Sequence, residues 1–97
     1  MQLQIITPEQ VIFDGEIDSI TLPGKDGEFQ ILNNHAPIVA TLGSGTIKIA
    51  VHESVYKNFN DLTGKVYTSP SQVKTLLFDI IGGTLEMNTN KVIVLAN

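Results

Sequence analysis

The sequence predicts an all-β fold, a β-sandwich of about eight to ten short strands, on three observations. Apolar and polar residues alternate over short stretches, clusters of Gly, Asn, Asp and Pro interrupt them roughly every 8 to 12 residues, and almost no stretch has helical period. A chain of 97 residues that is 42% hydrophobic can bury one core and has little room for a second. Residues 1–97 are therefore expected to form a single domain.

Taken in order, Leu3 and Ile5 alternate with Gln2 and Gln4, and Val11 and Phe13 alternate with Ile12, which gives the first two strands. Asp14-Gly15 tolerates the positive φ of a tight hairpin and is expected to turn the chain. From Glu16 to Leu22 the alternation slips, because Ile17 points opposite to Ile20 and Leu22 in a regular strand; a bulge or an edge is expected. The run Pro23-Gly24-Lys25-Asp26-Gly27 is a turn, with Pro fixing φ and glycines open to left-handed geometry.

Phe29 and Ile31 then share one face of a strand, the segment from Asn33 to Pro37 breaks it, and Ile38 to Leu42 forms the next. After Gly43-Ser44-Gly45, residues Ile47, Ile49 and Val51 alternate with Lys48, Ala50 and His52, the clearest half-buried strand in the chain. The polar stretch at about residues 53–72 has only weak periodicity and reads as a hairpin or loop insertion. Thr75 to Ile81 and Lys91 to Ala96 are nearly continuous apolar runs, expected to be covered on both faces. Gly82-Gly83 and the segment from Asn88 to Asn90 turn the chain around a strand from Thr84 to Met87.

Composition excludes several functions. The net charge is −4 and there is no arginine, which argues against a phosphate-backbone binder. Without cysteine there is neither a disulfide framework nor a thiolate metal site. His35 and His52 stand 17 positions apart with no motif-spaced ligand, so both read as exposed or capping residues and no metal is expected. Ser44, His35 and Asp14 can be drawn as a triad, but no nucleophile elbow surrounds any serine. Gly64-Lys65 lacks the hydroxyl residue and leading glycine of a phosphate loop. Carboxylates such as Asp14 with Glu16, or Asp26 with Glu28, are expected in water at hairpin ends, without the burial that tunes an acid. No enzyme activity and no cofactor are expected. The amino terminus lacks the pattern of a secretory signal, and the apolar runs are far shorter than the roughly 20 residues of a membrane-spanning helix.

Six of the ten acidic residues, Glu9, Asp14, Glu16, Asp18, Asp26 and Glu28, fall in the first 28 positions against Lys25 alone. That clustering fits a solvated face or a surface for a basic partner.

The order of short motifs resembles a known family. Residues Ile5-Ile6-Thr7-Pro8-Glu9, Phe13-Asp14-Gly15-Glu16, Leu22-Pro23-Gly24, Gly27-Glu28-Phe29, Asn34-His35-Ala36-Pro37-Ile38, Ile81-Gly82-Gly83-Thr84-Leu85-Glu86 and Val92-Ile93-Val94-Leu95-Ala96 follow one another as in the epsilon subunits of F-type ATP synthases. The resemblance implies a β-sandwich in the rotating central stalk, touching the gamma subunit and the polar loops of the c-ring, with the catalytic alpha/beta hexamer an indirect partner. It implies a c-ring contact through Asp26, Gly27, Glu28 and Phe29, with Glu28 making a charge-assisted bond to a basic loop residue. It implies a gamma contact through His35, Ala36, Pro37 and Ile38, with Thr7 nearby. The role implied is mechanical and non-catalytic: torque from proton-driven rotation passes through the subunit during ATP synthesis. Its expected place is the cytoplasmic face of the bacterial inner membrane, held there by the complex.

The sequence departs from the family in four places. It stops at Asn97 where most relatives continue into a two-helix hairpin, so neither ATP binding nor inhibition of hydrolysis is carried over. The stretch at residues 53–72 exceeds the short loop usual in relatives. Asn33 stands where many have Pro, and Gln30 where many have Gly. An independent β-sandwich binding module is the alternative, and a concave pocket with convergent polar groups would mark it.

Overall fold

A computed structural model describes residues 1–97 and shows ten strands and one short helix: β1 (Gln2–Ile6), β2 (Val11–Glu16), β3 (Ser19–Gly24), β4 (Gly27–Leu32), β5 (Ile38–Leu42), β6 (Gly45–Ala50), α1 (Glu53–Asn58), β7 (Val66–Thr68), β8 (Thr75–Ile80), β9 (Gly83–Asn88) and β10 (Lys91–Ala96). The strands form two layers. One runs β2-β1-β10-β9-β5 and the other β4-β3-β6-β8-β7, joined at a corner by the single pair Gly24 and Leu42 between β3 and β5. All pairs are antiparallel except β1 with β10.

Alternation decides which side chains enter the space between the layers. The first layer contributes Leu3, Ile5, Leu85, Met87, Val92 and Val94; the second contributes Ile20, Leu22, Ile31, Ile47, Ile49 and Leu76. Each of these is at most 1% exposed, so each contributes about 1.5–3 kcal/mol relative to an exposed position. The 97 residues hold no long C-terminal helical pair; α1 is the one helix.

Several sequence expectations change. Asp14-Gly15 is no turn: both residues lie inside β2, opposite Gln4 and Leu3. The turn between β1 and β2 is instead at residues 7–10, closed by the Thr7 amide donating to the Gln10 carbonyl at 2.9 Å. A register shift opposite Ile5 and Ile6 makes Ile12 the extra residue of a bulge, so Ile12 and Phe13 both turn inward and Val11 stays 49% exposed. The slip from Glu16 to Leu22 is a break between β2 and β3, with Ile17 buried in the gap.

β10 is covered on one face only: Val92, Val94 and Ala96 are buried, whereas Leu95 is 51% exposed. β8 meets the expectation of two covered faces only in part: on its outer side Leu77 is buried, with Lys48 and Tyr67 as cross-strand partners, whereas Asp79 is exposed and Ile81, just beyond the strand, is 76% exposed.

The stretch at residues 53–72 holds α1 and β7. His52 caps the helix, its Nδ1 accepting from the Ser54 amide at 3.2 Å. Phe59 follows the helix and stacks on Phe13 of β2, ring centroids 6.2 Å apart. Asp61 then fixes the return, accepting from the Thr63 hydroxyl and from the amides of Thr63 and Val66. Burial opposes ionisation of Asp61, but these donors hold its carboxyl below the usual value. The segment thus links the β2 edge of one layer to β7 of the other.

Candidate functional site

Two surfaces carry the residues singled out by sequence. The first is the hairpin between β3 and β4, where Gly24 pairs with Gly27 and only Lys25 and Asp26 form the loop. Asp26, Gly27 and Glu28 are exposed. Glu28 points to the outer face of the second layer, its carboxylate 3.7 Å from the Lys48 ammonium. Phe29 points the other way, half-buried against the core, so its ring supports the hairpin from below.

The second surface is the segment between β4 and β5. His35, Ala36 and Pro37 are exposed, and Ile38 is half-buried against the core. The His35 amide donates to the Leu32 carbonyl at 3.1 Å, and its ring Nδ1 donates to the Ala36 carbonyl at 2.7 Å. Asn90, in the turn between β9 and β10, anchors this segment: its Oδ1 accepts from the Asn34 amide at 2.8 Å and its Nδ2 donates to Asn33 Oδ1 at 2.9 Å.

Thr7 is not beside His35. It follows Ile6, which pairs with Leu95, and Leu95 pairs with Thr84; the segment before Ile38 instead lies at the Met87 and Asn90 end of β9 and β10. Thr7 and His35 therefore mark opposite ends of the same layer. Thr7 is also only 8% exposed, with its hydroxyl engaged by the Gln10 carbonyl and amide.

The outer face of that layer is the feature that sequence reasoning missed. Val39 is 79% exposed, and Val11 and Leu95 are about half exposed, with Ile6 paired between Val11 and Leu95. Ile93 lies beside Glu86, which lies beside Val39. Asp14 and Glu16 flank the same face from β2, opposite Gln4 and Gln2. The clustered carboxylates of the first 28 residues are thus divided: Asp14 and Glu16 border this apolar face, and Asp26 and Glu28 lie on the hairpin.

Comparison with known proteins yields three results. Residues 1–73 match the family described as ATP synthase, Delta/Epsilon chain, beta-sandwich domain. The chain is 40% identical over 76 residues to the ATP synthase epsilon chain of Leptospira borgpetersenii serovar Hardjo-bovis, covering 78% of this chain and 59% of that one. It is 33% identical over 94 residues to the ATP synthase epsilon chain of Chlorobium limicola, covering 97% and 85%. The fold is shared with chains in two solved structures: the Tetrahymena thermophila mitochondrial ATP synthase central stalk and c-ring, with a TM-score of 0.64, 17% identity and coverage of 98% and 61%; and the Euglena gracilis mitochondrial ATP synthase, with 0.71, 21% and coverage of 97% and 48%.

Proposed function

The chain belongs to the family of ATP synthase delta/epsilon chain β-sandwich domains, and we propose that it serves as a non-catalytic rotor subunit in the central stalk of a proton-translocating ATP synthase, coupling c-ring rotation to the gamma subunit. No helix is long and apolar enough to cross a membrane. On this reading the chain is held at the cytoplasmic face of a bacterial inner membrane by the complex.

The observation that carries this reading is the separation of two different surfaces on one packed body. The hairpin exposes Asp26 and Glu28 for basic c-ring loops, where a charge-assisted bond favours register and specificity. On this reading the gamma subunit lies across the outer face of the first layer, from residues 35–38 toward the turn at Thr7, over the exposed or half-exposed Val39, Ile93 and Leu95. Exposed apolar residues bordered by carboxylates fit an interface with an apolar centre and a polar rim. A two-layer sandwich with a shared core transmits torque between the two surfaces without bond chemistry.

Affinity purification of tagged protein from native membranes, followed by mass spectrometry, tests the proposal. Recovery of the gamma subunit, the alpha and beta subunits and the c-ring is the expected result. Recovery of none of them, from membranes that contain intact synthase, would favour an independent binding module.

A further inference from the structure

β2 is an edge strand, paired with β1 alone. In an antiparallel ladder alternate residues turn their N–H and C=O groups away from the partner strand, and no backbone hydrogen bond joins β2 to residues 53–65. Between this free edge and the loop after α1 lies an open slot of about 460 Å³. It is lined by two consecutive stretches of chain, residues 11–15 of β2 and residues 58–63 after the helix, together with Val55. The slot therefore runs along the strand from Val11 to Gly15, past the bulge at Ile12. Phe13 and Phe59 close its floor, Leu62, 89% exposed, stands on its rim, and its charged side chains are two carboxylates, Asp14 and Asp61, with no cation.

We infer that this slot receives an extended segment of a neighbouring stalk subunit, which adds to β2 as a further strand and alternates apolar with Lys or Arg side chains. The free edge supplies main-chain donors and acceptors, the Phe13 and Phe59 floor takes an apolar side chain, and the carboxylates favour a basic one. A helix, about 10 Å wide, leaves the edge groups unpaired. Pairing of β2 with β2 of a second copy brings only Asp14 and Glu16 as charges to the new ladder, where like charges repel. The inference rests on the stalk reading, because the segment is taken from that assembly.

Hydrogen exchange of the purified synthase carrying this chain, compared with the isolated chain, is the test, with a Leu62→Cys photo-crosslink to locate the occupant. The expected result is exchange slowed about tenfold or more across β2, a crosslink to a Lys- or Arg-bearing segment of another subunit, and loss of the slowing in Leu62→Glu while the chain stays in the complex. Equal exchange in a chain that co-purifies would overturn the inference and leave the stalk reading standing. A chain absent from the purified synthase would overturn both. Slowing in the isolated chain that grows with its concentration would identify a second copy and also overturn it.

Discussion

The ring of Phe29 lies across Gly24 so closely that a β-carbon at position 24 would stand 2.9 Å from its Cδ1 and 2.5 Å from the Gly27 carbonyl oxygen. The hairpin that presents Asp26 and Glu28 is therefore closed by the absence of a side chain. Gly24→Ala is expected to cost about 1–3 kcal/mol, since backbone and a packed ring must both move. The midpoint of urea unfolding measures it. Gly43→Ala is the control: its nearest neighbours, at 3.8 Å, are in ordinary contact, and stability should be nearly unchanged.

The second expectation concerns Phe13 and Phe59, whose rings stack at 30° between planes. Phe59 is half-buried, so Phe59→Ala should cost about 2 kcal/mol, below the range for a fully buried ring. A double-mutant cycle with Phe13→Ala should return a coupling of about 1 kcal/mol. Amide exchange should quicken in α1 far more than in β6 and β8. A zero coupling would show that the segment is held by other contacts.

The all-β class was legible because the core obeys a period of two: Ile47, Ile49 and Val51, or Leu3 and Ile5, need no tertiary information to be assigned a face. The details that failed depend on long-range context. Asp14-Gly15 has turn chemistry, but Thr7, with Pro8 following, had already turned the chain, and β1 was left to pair with the strand holding Asp14. α1 is too short to show a helical period and is held by Phe59 on a ring more than forty positions away. Ile93 and Leu95 read as core by hydropathy, yet only Val92, Val94 and Ala96 of β10 are buried. That last failure is informative about function, because it exposes apolar side chains at the candidate interface. The exposed hairpin carboxylates were legible; the distance between Thr7 and His35 was not, since it follows from β1 running parallel to β10.

The turn between β9 and β10 places Thr89 at φ 51° and Asn90 at φ 57°, the geometry of a two-residue hairpin with both central residues left-handed. Asn90 tolerates this and anchors the segment before Ile38 through Asn33 and Asn34, but Thr89 is β-branched and strained there. Thr89→Asn is expected to stabilise the fold by roughly 0.5–1 kcal/mol. A raised thermal midpoint with the Asn90 contacts intact would bear this out; a lowered one would mean that the Thr89 hydroxyl bond to Asn88 matters more than the backbone strain.

Acid and alkaline unfolding should both respond to one cluster on the second layer. Tyr67 donates from its hydroxyl to Asp79 Oδ1 at 2.7 Å and Thr46 does so at 2.8 Å, which together hold the Asp79 carboxyl below its usual value. The same bond to Asp79 pushes the Tyr67 phenol up. A depressed carboxylate stabilises the fold fully above its unfolded value of about 3.9, and that contribution is lost as pH falls further through the folded value. A raised phenol contributes fully below about 10 and loses its contribution as pH rises through the folded value. Asp79→Asn should therefore flatten the fall in stability on both flanks while leaving its slope near neutrality unchanged. Urea titrations at a series of pH values measure this, and unchanged slopes on both flanks would reject the cluster as the source.

Glu28→Lys separates the hairpin's role in the fold from the c-ring contact proposed for it. Its exposed pair with Lys48 is worth about 0–1 kcal/mol, so the variant should fold with nearly unchanged stability. If Glu28 bonds a basic ring loop, reversal of its charge replaces attraction by repulsion, and fewer protons should be pumped per ATP hydrolysed in reconstituted vesicles. Loss of the internal pair could give a similar defect by tilting the hairpin. The double variant Glu28→Lys with Lys48→Glu distinguishes the two, because it restores opposite charges within the chain but still presents a cation to the ring. Pumping that stays impaired in the double variant locates the effect at the ring; full recovery locates it in the hairpin, and normal pumping in Glu28→Lys alone removes Glu28 from the contact.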